Sequence, residues 1–595
     1  MSSSTWSLSF RQWLVLAIAS IGFLFDTYEL LMTPLVGVPA IAELLSLPPN
    51  HKDVTDWMGR MLWLTALCGG TFGLLGGWLI DRFGRKRIMA LSIFVYAFSP
   101  FAAAYSTSLT SFVFFRCTTF IGVCVEFIAA ITWLAELFPE KRQREIMLGS
   151  TQAFASLGGI LITGVSALIL AKAKSFPAIT LPEIFDAHAT WRYTLMTGIL
   201  PAIPIALMLP FVPESQIWRE RKSAGTLKRP SFGELFSPGL RRVTLVTAGL
   251  SACAYGAAFG ALQLTPLRIA PGVPELAAER KALAPLQDEA KDLNKALSDL
   301  QPAYEKALLD VPGLRELAAK RAANRKAFRI AAKPVSAAPG ASHPAATPAV
   351  PAVPADPAKV ASLSAEFQQL TARVDELTAQ HPEAKKALVE REKVLKALGD
   401  NRDKQDPYAT KVKERGNTAQ AYQETGGLVG RIVLALLIMV AMARRALLRV
   451  FLIPGLVVLP LTYFVFYQSG GAALNWGIFV SGLLIVAQFS YFGEYLPKVF
   501  PLHLRGTGGS FATNVGGRMI GTSAALLTTN LIAPNLHNGN VYDNVAAAAG
   551  WVALGVFVLG TLLSFFLPEP QHEDFGLPGE GAKAAVQNAA ATPAA

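Results

Sequence analysis

Inside an apolar run that begins near Trp13 the chain reads Gly22-Phe23-Leu24-Phe25-Asp26-Thr27-Tyr28-Glu29-Leu30. Asp26 and Glu29 stand three residues apart and share one face of a helix. In hydrocarbon an unpaired charge costs several kcal/mol, so acids placed there need a partner or a task, and proton binding is the task that suits them. Other apolar runs hold Arg60, Arg116, Glu126, Arg431, Glu494 and Arg518. Arg518, in SFATNVGGRMIG, carries the planar fork that grips a carboxylate with two bonds, and Asn514 one turn earlier can add another. A cytoplasmic-side carbonyl or a lipid phosphate is the competing partner for Arg518. Glu126 reads either as a substrate contact or as one end of an interhelical hydrogen bond, and Gln488 as a pocket liner. Arg60 and Arg431 lie near the ends of their runs, where long side chains snorkel to water.

These residues need a scaffold, and the composition says which kind. Of 595 residues 52% are hydrophobic and 16% charged, with a mean hydropathy of +0.38. Soluble domains carry about a quarter charged residues. The net charge of +12 invites a nucleic-acid reading. The basic residues, however, cluster in short loops between apolar runs, which is the footprint of membrane orientation. No nucleic-acid partner is expected. Cys68, Cys117, Cys124 and Cys253 fall inside apolar runs at no metal-ligand spacing. The N-terminal segment MSSSTWSLSFRQW shows no leader-type cleavage site, so the first run is expected to be a retained span.

Apolar runs bounded by charge, Pro or Gly give twelve expected spans, at about 12–36, 58–80, 88–107, 110–136, 147–171, 193–212, 243–267, 427–443, 447–467, 473–493, 508–533 and 549–567. Loops with Arg82, Arg85, Lys86 and Arg87, with Lys141, Arg142 and Arg144, with Arg219 through Arg242, and with Arg444, Arg445 and Arg449 fall on one side. The positive-inside rule makes that side, and both termini, cytoplasmic. Asp26 in an outward first span and Arg116 in an inward fourth span then lie at similar depth. They are the expected proton-coupling pair, with Glu29 as a neighbour; a static salt bridge is the alternative.

Residues 271–426 differ in character. Leu276, Leu283, Ala290, Leu297, Tyr304, Val311 and Ala318 repeat every seven residues, and a second arm follows through Leu363, Phe367, Leu370, Val374, Leu377, Ala384, Leu388, Leu395 and Leu398. A Pro/Ala stretch separates the arms and is too rich in proline for helix. An antiparallel, coiled-coil-like helical hairpin on the extracytoplasmic side is expected, with an upper reach of roughly 80 Å for an arm of about 55 residues. Pro285, Pro302 and Pro312 are expected to kink or segment the arm. The insertion is either passive or an arm for an envelope partner.

The loop after the second run, Gly77-x-x-x-Asp81-Arg82-x-Gly84-Arg85-Lys86-Arg87, resembles the signature cytoplasmic loop of the major facilitator superfamily. The fourth span, opening on Arg116, carrying Gly122 and closing on Glu136 and Pro139, is similar to that of its sugar-porter branch, although Gln143 and Arg144 stand where an Arg-Gly pair is usual. The sixth span opens on Trp191-Arg192 and is followed by Pro213-Glu214-Ser215, as in that branch. In the second half Pro501, Arg505 and Gly506 repeat the loop logic, Lys498 replaces the usual acid with Glu494 a turn earlier, and Pro568-Glu569 follows the last span. The seventh span lacks the paired glutamines of hexose carriers and offers Gln263 only, which weakens a sugar reading. Asp26 with Tyr28 looks more like the organic-acid and aromatic-acid proton symporters.

The resemblance implies an all-α integral membrane protein of twelve transmembrane helices in two six-helix bundles, with the helical insertion between helices seven and eight. Residues 1–215 form the first bundle, 216–242 an inter-bundle loop, 243–270 with 427–570 the second bundle, and 571–595 a disordered cytoplasmic tail. It implies a proton-coupled carrier of a small organic anion in the plasma (inner) membrane, and no enzyme. Its partners would be substrate, protons and membrane lipid, with no cofactor and no metal. Proton-coupling residues would be Asp26, Arg116 and Glu29. Arg518, Asn514, Tyr28, Glu126 and Gln488 would bind substrate, and Gly77, Asp81, Arg82, Gly84, Arg85, Glu136 and Arg505 would form the gating loops. Two other readings stay open: a sugar or polyol symporter, and a transporter-like receptor or envelope-interaction protein that uses the hairpin.

Overall fold

A computed structural model describes residues 9–49, 51–137, 141–182, 185–200, 202–212, 214, 219–220, 223, 232–332, 357–439, 442–500, 504–537 and 539–569. The Pro/Ala stretch from 333 to 356 and the tail beyond 569 lie outside the described residues. So do the side chains of Gly77, Asp81, Arg82, Glu136 and Arg505, whose backbones run in helices. Every regular element among the described residues is helical.

Eight helices are long and apolar enough to cross a membrane by length and composition among the described residues: Gln12–Leu45, Arg85–Ala103, Leu109–Ala130, Thr190–Phe211, Arg241–Leu264, Arg444–Ser469, Gly471–Leu496 and Val541–Ser564. The other four spans are less uniformly apolar or less regular. The second, Lys52–Phe83, and fifth, Lys141–Lys172, carry glycines and polar ends. The eighth is the last part of one unbroken helix, Pro382–Met439. The eleventh is divided into Arg505–Ser510, a π-helical stretch Phe511–Ile520, and further short turns through Asn535. Large apolar side chains such as Phe94, Phe98, Trp551 and Leu559 remain exposed on the outer faces of spans, where acyl chains would cover them.

Helix ends are closed by side chains near them in sequence or in space. Ser9 and Gln12 form a capping box on the first span, and Asn540 with Asp543 forms one on the last. Glu214, after the sixth span, accepts the amide N–H groups of Arg85 (2.9 Å) and Lys86 (3.1 Å) at the start of the third span. Glu569, after the twelfth, accepts those of Arg444 and Arg445 at the start of the ninth, both at 2.9 Å. Each carboxylate sits on a helix N-terminus, where amides and dipole both favour an anion. Gly84, between the second and third spans, takes φ +101°, a left-handed turn that a side chain would strain. The membrane unit therefore repeats itself internally.

With apolar lipid outside, helices are held by close packing, and small residues permit it. A β-carbon on Gly426 or Gly430 of the eighth span would strike the carbonyl oxygen of Phe479 or Leu483 in the tenth, and one on Gly482 would strike that of Gln423 in return.

The chain divides into two compact units, one of residues 1–171, 189–281 and 409–595, the other of 172–188 and 282–408. The second contains the helical insertion: most of Ala277–Asp310, Leu314–Ala332, Pro357–Thr378 and the first part of Pro382–Met439. Its arms are antiparallel, since Asn401 reaches the Leu286 carbonyl (2.9 Å) and Asn324 reaches Glu366 (2.7 Å). Ala307, Val311, Leu314, Val374, Ala384 and Leu388 form its core. Pro285 and Pro302 lie within a continuous helix, and the break comes at Pro312-Gly313, where Gly313 takes φ +80°.

Gly430→Leu is expected to lower the thermal unfolding midpoint in detergent through an overpacking cost of about 1–3 kcal/mol. Gly555→Ala, which faces open space, is expected to leave it unchanged. Scanning fluorimetry on both variants checks the seam; equal midpoints would sink it.

Candidate functional site

Arg116, fully enclosed, is held by the first span but not at Asp26. Its Nη2 donates to the Glu29 carbonyl at 3.1 Å and to the Thr33 hydroxyl at 2.5 Å, and its Nη1 stands 3.6 Å from the Glu29 carboxylate. The expected Asp26–Arg116 couple is therefore replaced by Glu29–Arg116. The reason is depth: Arg116 meets the turn Glu29–Thr33, a full turn beyond Asp26. Glu29 Oε1 enters the space a β-carbon on Gly198 would fill, so its face is turned into the first bundle. Tyr28 goes the same way, its hydroxyl 2.5 Å from that of Thr197.

Ten residues further along the fourth span, or about 15 Å at 1.5 Å per residue, Glu126 comes level with Gly22 and Asp26. A β-carbon on Gly22 would collide with Glu126 Oε1, so this glycine makes the space the carboxyl occupies. The Asp26 and Glu126 carboxyls interact with each other, and among the described residues no other group donates to either. Both are enclosed, at 7% and 0% exposure.

The opposing charge comes from the other bundle. Arg518, in the π-helical stretch of the eleventh span, acts on Asp26 through space, and its guanidinium lies 5.8 Å from the ring centre of Phe127, next to Glu126. Its Nη1 donates to Asn514 at 2.7 Å, and Asn514 donates to Ser510 at 2.9 Å. Asn514 also lies against Gly73 of the second span. Tyr255 of the seventh span interacts with Arg518 and packs edge-on to Phe489, 4.9 Å between ring centres. Two carboxyls from one half and a guanidinium from the other thus meet where the halves touch. Gln488 is buried but spends its amide on the Leu484 carbonyl of its own helix, at 3.1 Å. Of the gating-loop residues, Gly84 forms the turn described above, and Arg85 donates to the Ile80 carbonyl at 3.2 Å.

The halves also meet where the first span ends. Gly59 abuts Thr529 and Asn530, Ser166 bonds Asn417 at 3.3 Å, and Arg268 of the seventh span donates to the Pro49 carbonyl. Three ionic features escaped the sequence reading. Arg268 lies one residue past the expected end of its span. Glu43 receives Trp191 Nε1 at 2.7 Å and Arg192 at 3.3 Å, joining the end of the first span to the Trp191-Arg192 pair. Glu424 accepts Gln420 and Gln423, both at 2.9 Å, beside Gly159 of the fifth span. It stands just before the two glycines at which the eighth span was expected to begin.

Arg116→Gln is expected to leave the Glu29 carboxylate buried alone and to destabilise the protein by about 3–5 kcal/mol. Adding Glu29→Gln should restore most of the loss, whereas adding Asp26→Asn should not. Thermal unfolding of the three variants measures this, and rescue by Asp26→Asn would reverse the pairing.

Residues 6–278 match the sequence profile described as Major Facilitator Superfamily. Among known proteins, the chain is 29% identical over 185 residues to the cis,cis-muconate transport protein of Acinetobacter baylyi, covering 30% of this chain and 41% of that one. It is 24% identical over 167 residues to the arabinose-proton symporter of Bacillus subtilis, covering 28% and 34%. The matched stretches thus span less than half the length of either relative. The crystal structure of a D-xylose-proton symporter superposes with a TM-score of 0.52 at 14% identity, covering 94% of this chain and 99% of that one. Residues 6–278 thus match the Major Facilitator Superfamily profile, and the fold superposes on that of the xylose-proton symporter.

Proposed function

We propose that the protein is a secondary transporter that moves a small organic anion together with a proton, by alternating access of its two bundles. It would lie in the plasma membrane with both termini cytoplasmic and the insertion outside, as the basic loops indicate. The observation that carries the reading is the buried Asp26–Glu126 pair facing Arg518 across the junction of the halves.

The chemistry follows from charge. Two carboxyls in contact, with no donor but each other, resist holding two negative charges in a low dielectric, so a proton between them relieves the contact. Arg518 is the counter-charge of Asp26. When a substrate carboxylate takes the guanidinium, the acid pair loses that compensation and holds its proton. Anion and proton therefore load together and leave together. Enclosure by Phe127, Tyr255 and Asn514 excludes water, which strengthens each of these terms. The muconate relative is named for a dicarboxylate, in keeping with a cationic substrate contact. A pentose or polyol is the second reading, favoured by the buried Gln263 carbonyl, which lacks a donor, and by the arabinose relative.

Proteoliposomes given a pH gradient and a panel of carboxylates and sugars separate the two. Asp26→Asn is expected to abolish gradient-driven accumulation while sparing exchange of substrate across the membrane; intact accumulation would end the coupling assignment. Arg518→Lys keeps the charge but loses the fork, and is expected to raise KM for carboxylates roughly tenfold, or about 1.4 kcal/mol. An unchanged KM for carboxylates would remove Arg518 from the site.

A further inference from the structure

The seventh span does not run as one helix. Helix Arg241–Gly260 gives way at Ala261 (φ −134°, ψ −63°) to a 3₁₀ turn, then to a π-helical turn Thr265–Ile269, and then to another 3₁₀ turn ending at Gly272. Pro266 and Pro271 lack the amides a regular helix would use. Thr265 anchors the turn to Tyr463, 3.1 Å between hydroxyls. π-turns of this kind often mark functional positions.

Arg268 sits in that turn with no exposure at all. Its Nη1 donates to the carbonyl of Pro49, in the turn between the first and second spans, so the contact links the two halves. Its Nε and Nη2 meet no acceptor among the described residues. Asp56 and Tyr542 are near enough to act on its charge, and Asp56 Oδ1 itself lacks a donor. A buried guanidinium with two open N–H groups is costly. Nε and Nη2 form the side-on edge of the fork, the edge that takes both oxygens of a carboxylate in parallel bonds.

We propose that Arg268 is a second anion site, separate from Arg518, that binds a carboxylate side-on where the halves close at the end of the first span. Pro49 orients the fork through Nη1, so the edge is aimed only while the halves are together there. The site rests on the transport reading solely for the source of its ligand, the transported anion. A halide would offer charge but not two oxygens at carboxylate spacing.

The test uses the full-length protein in nanodiscs, with benzoate, muconate and chloride as probes and thermal stabilisation as the readout. Wild type should show two saturable phases with the carboxylates. Arg268→Gln should lose one phase and Arg518→Gln the other. Arg268→Lys, which keeps the charge if the Gln variant fails to fold, should weaken its phase about tenfold for carboxylates and little for chloride. A single phase in wild type, removed by Arg518→Gln alone, would overturn the proposal, as would stabilisation by chloride equal to that by carboxylates. Loss of transport in Arg518→Gln with the Arg268 phase intact, or the converse, tells the failure of one reading from the failure of the other.

Discussion

The enclosed ion pair between Glu29 and Arg116 sets the register on which the site depends. An Arg in a bundle interior must find acceptors, and Arg116 finds a carboxylate, a carbonyl and a hydroxyl within the single turn Glu29–Thr33. Once the first and fourth spans are pinned there, antiparallel geometry carries Glu126 to the level of Gly22 and Asp26. The acid pair is therefore a consequence of the ion pair, reached along the rigid length of two helices. Breaking a buried pair is far more damaging than leaving one out, so this contact works as a constraint on alignment more than as a source of stability.

The two bundles use the same solutions on different residues. Glu214 and Glu569 close equivalent helix starts, each by seating a carboxylate on two amides. The halves differ in their interiors. The first builds its first and fourth spans as continuous helices with paired ions inside. The second interrupts its seventh and eleventh spans with π-helical turns that hold Arg268 and Arg518. Broken helices of this sort tolerate cations and bare carbonyls where regular ones would not. Acids on rigid helices therefore face bases on irregular ones.

Much of this was legible from residue types. The spans follow from apolar length, the fold class from the loop Gly77–Arg87 and its partial echo at Arg505, and the insertion from its heptads. Asp26, Glu29, Arg116, Glu126 and Arg518 stood out because hydrocarbon selects against charge. Their pairing did not stand out: Asp26 and Glu29 differ by three residues, less than the uncertainty in where each span starts. Arg268 and Glu424 were missed because each lies just outside a span as hydropathy draws it, and broken or extended helices blur that edge.

By itself the sequence determined that the chain crosses the membrane many times, which residues are too polar to be there without cause, and which helix ends carry capping acids. These follow from composition and short-range spacing, which act along the chain. Only the tertiary structure decided that Arg116 belongs to Glu29, that Asp26 shares its place with Glu126, and that Arg518 reaches Asp26 from the other half. Those depend on the depth and rotation of helices more than eighty residues apart, as the 87-residue separation of Glu29 and Arg116 illustrates. Depth and rotation are set by packing, at glycines such as Gly22 and Gly73 where a neighbouring side chain enters the space a β-carbon would fill.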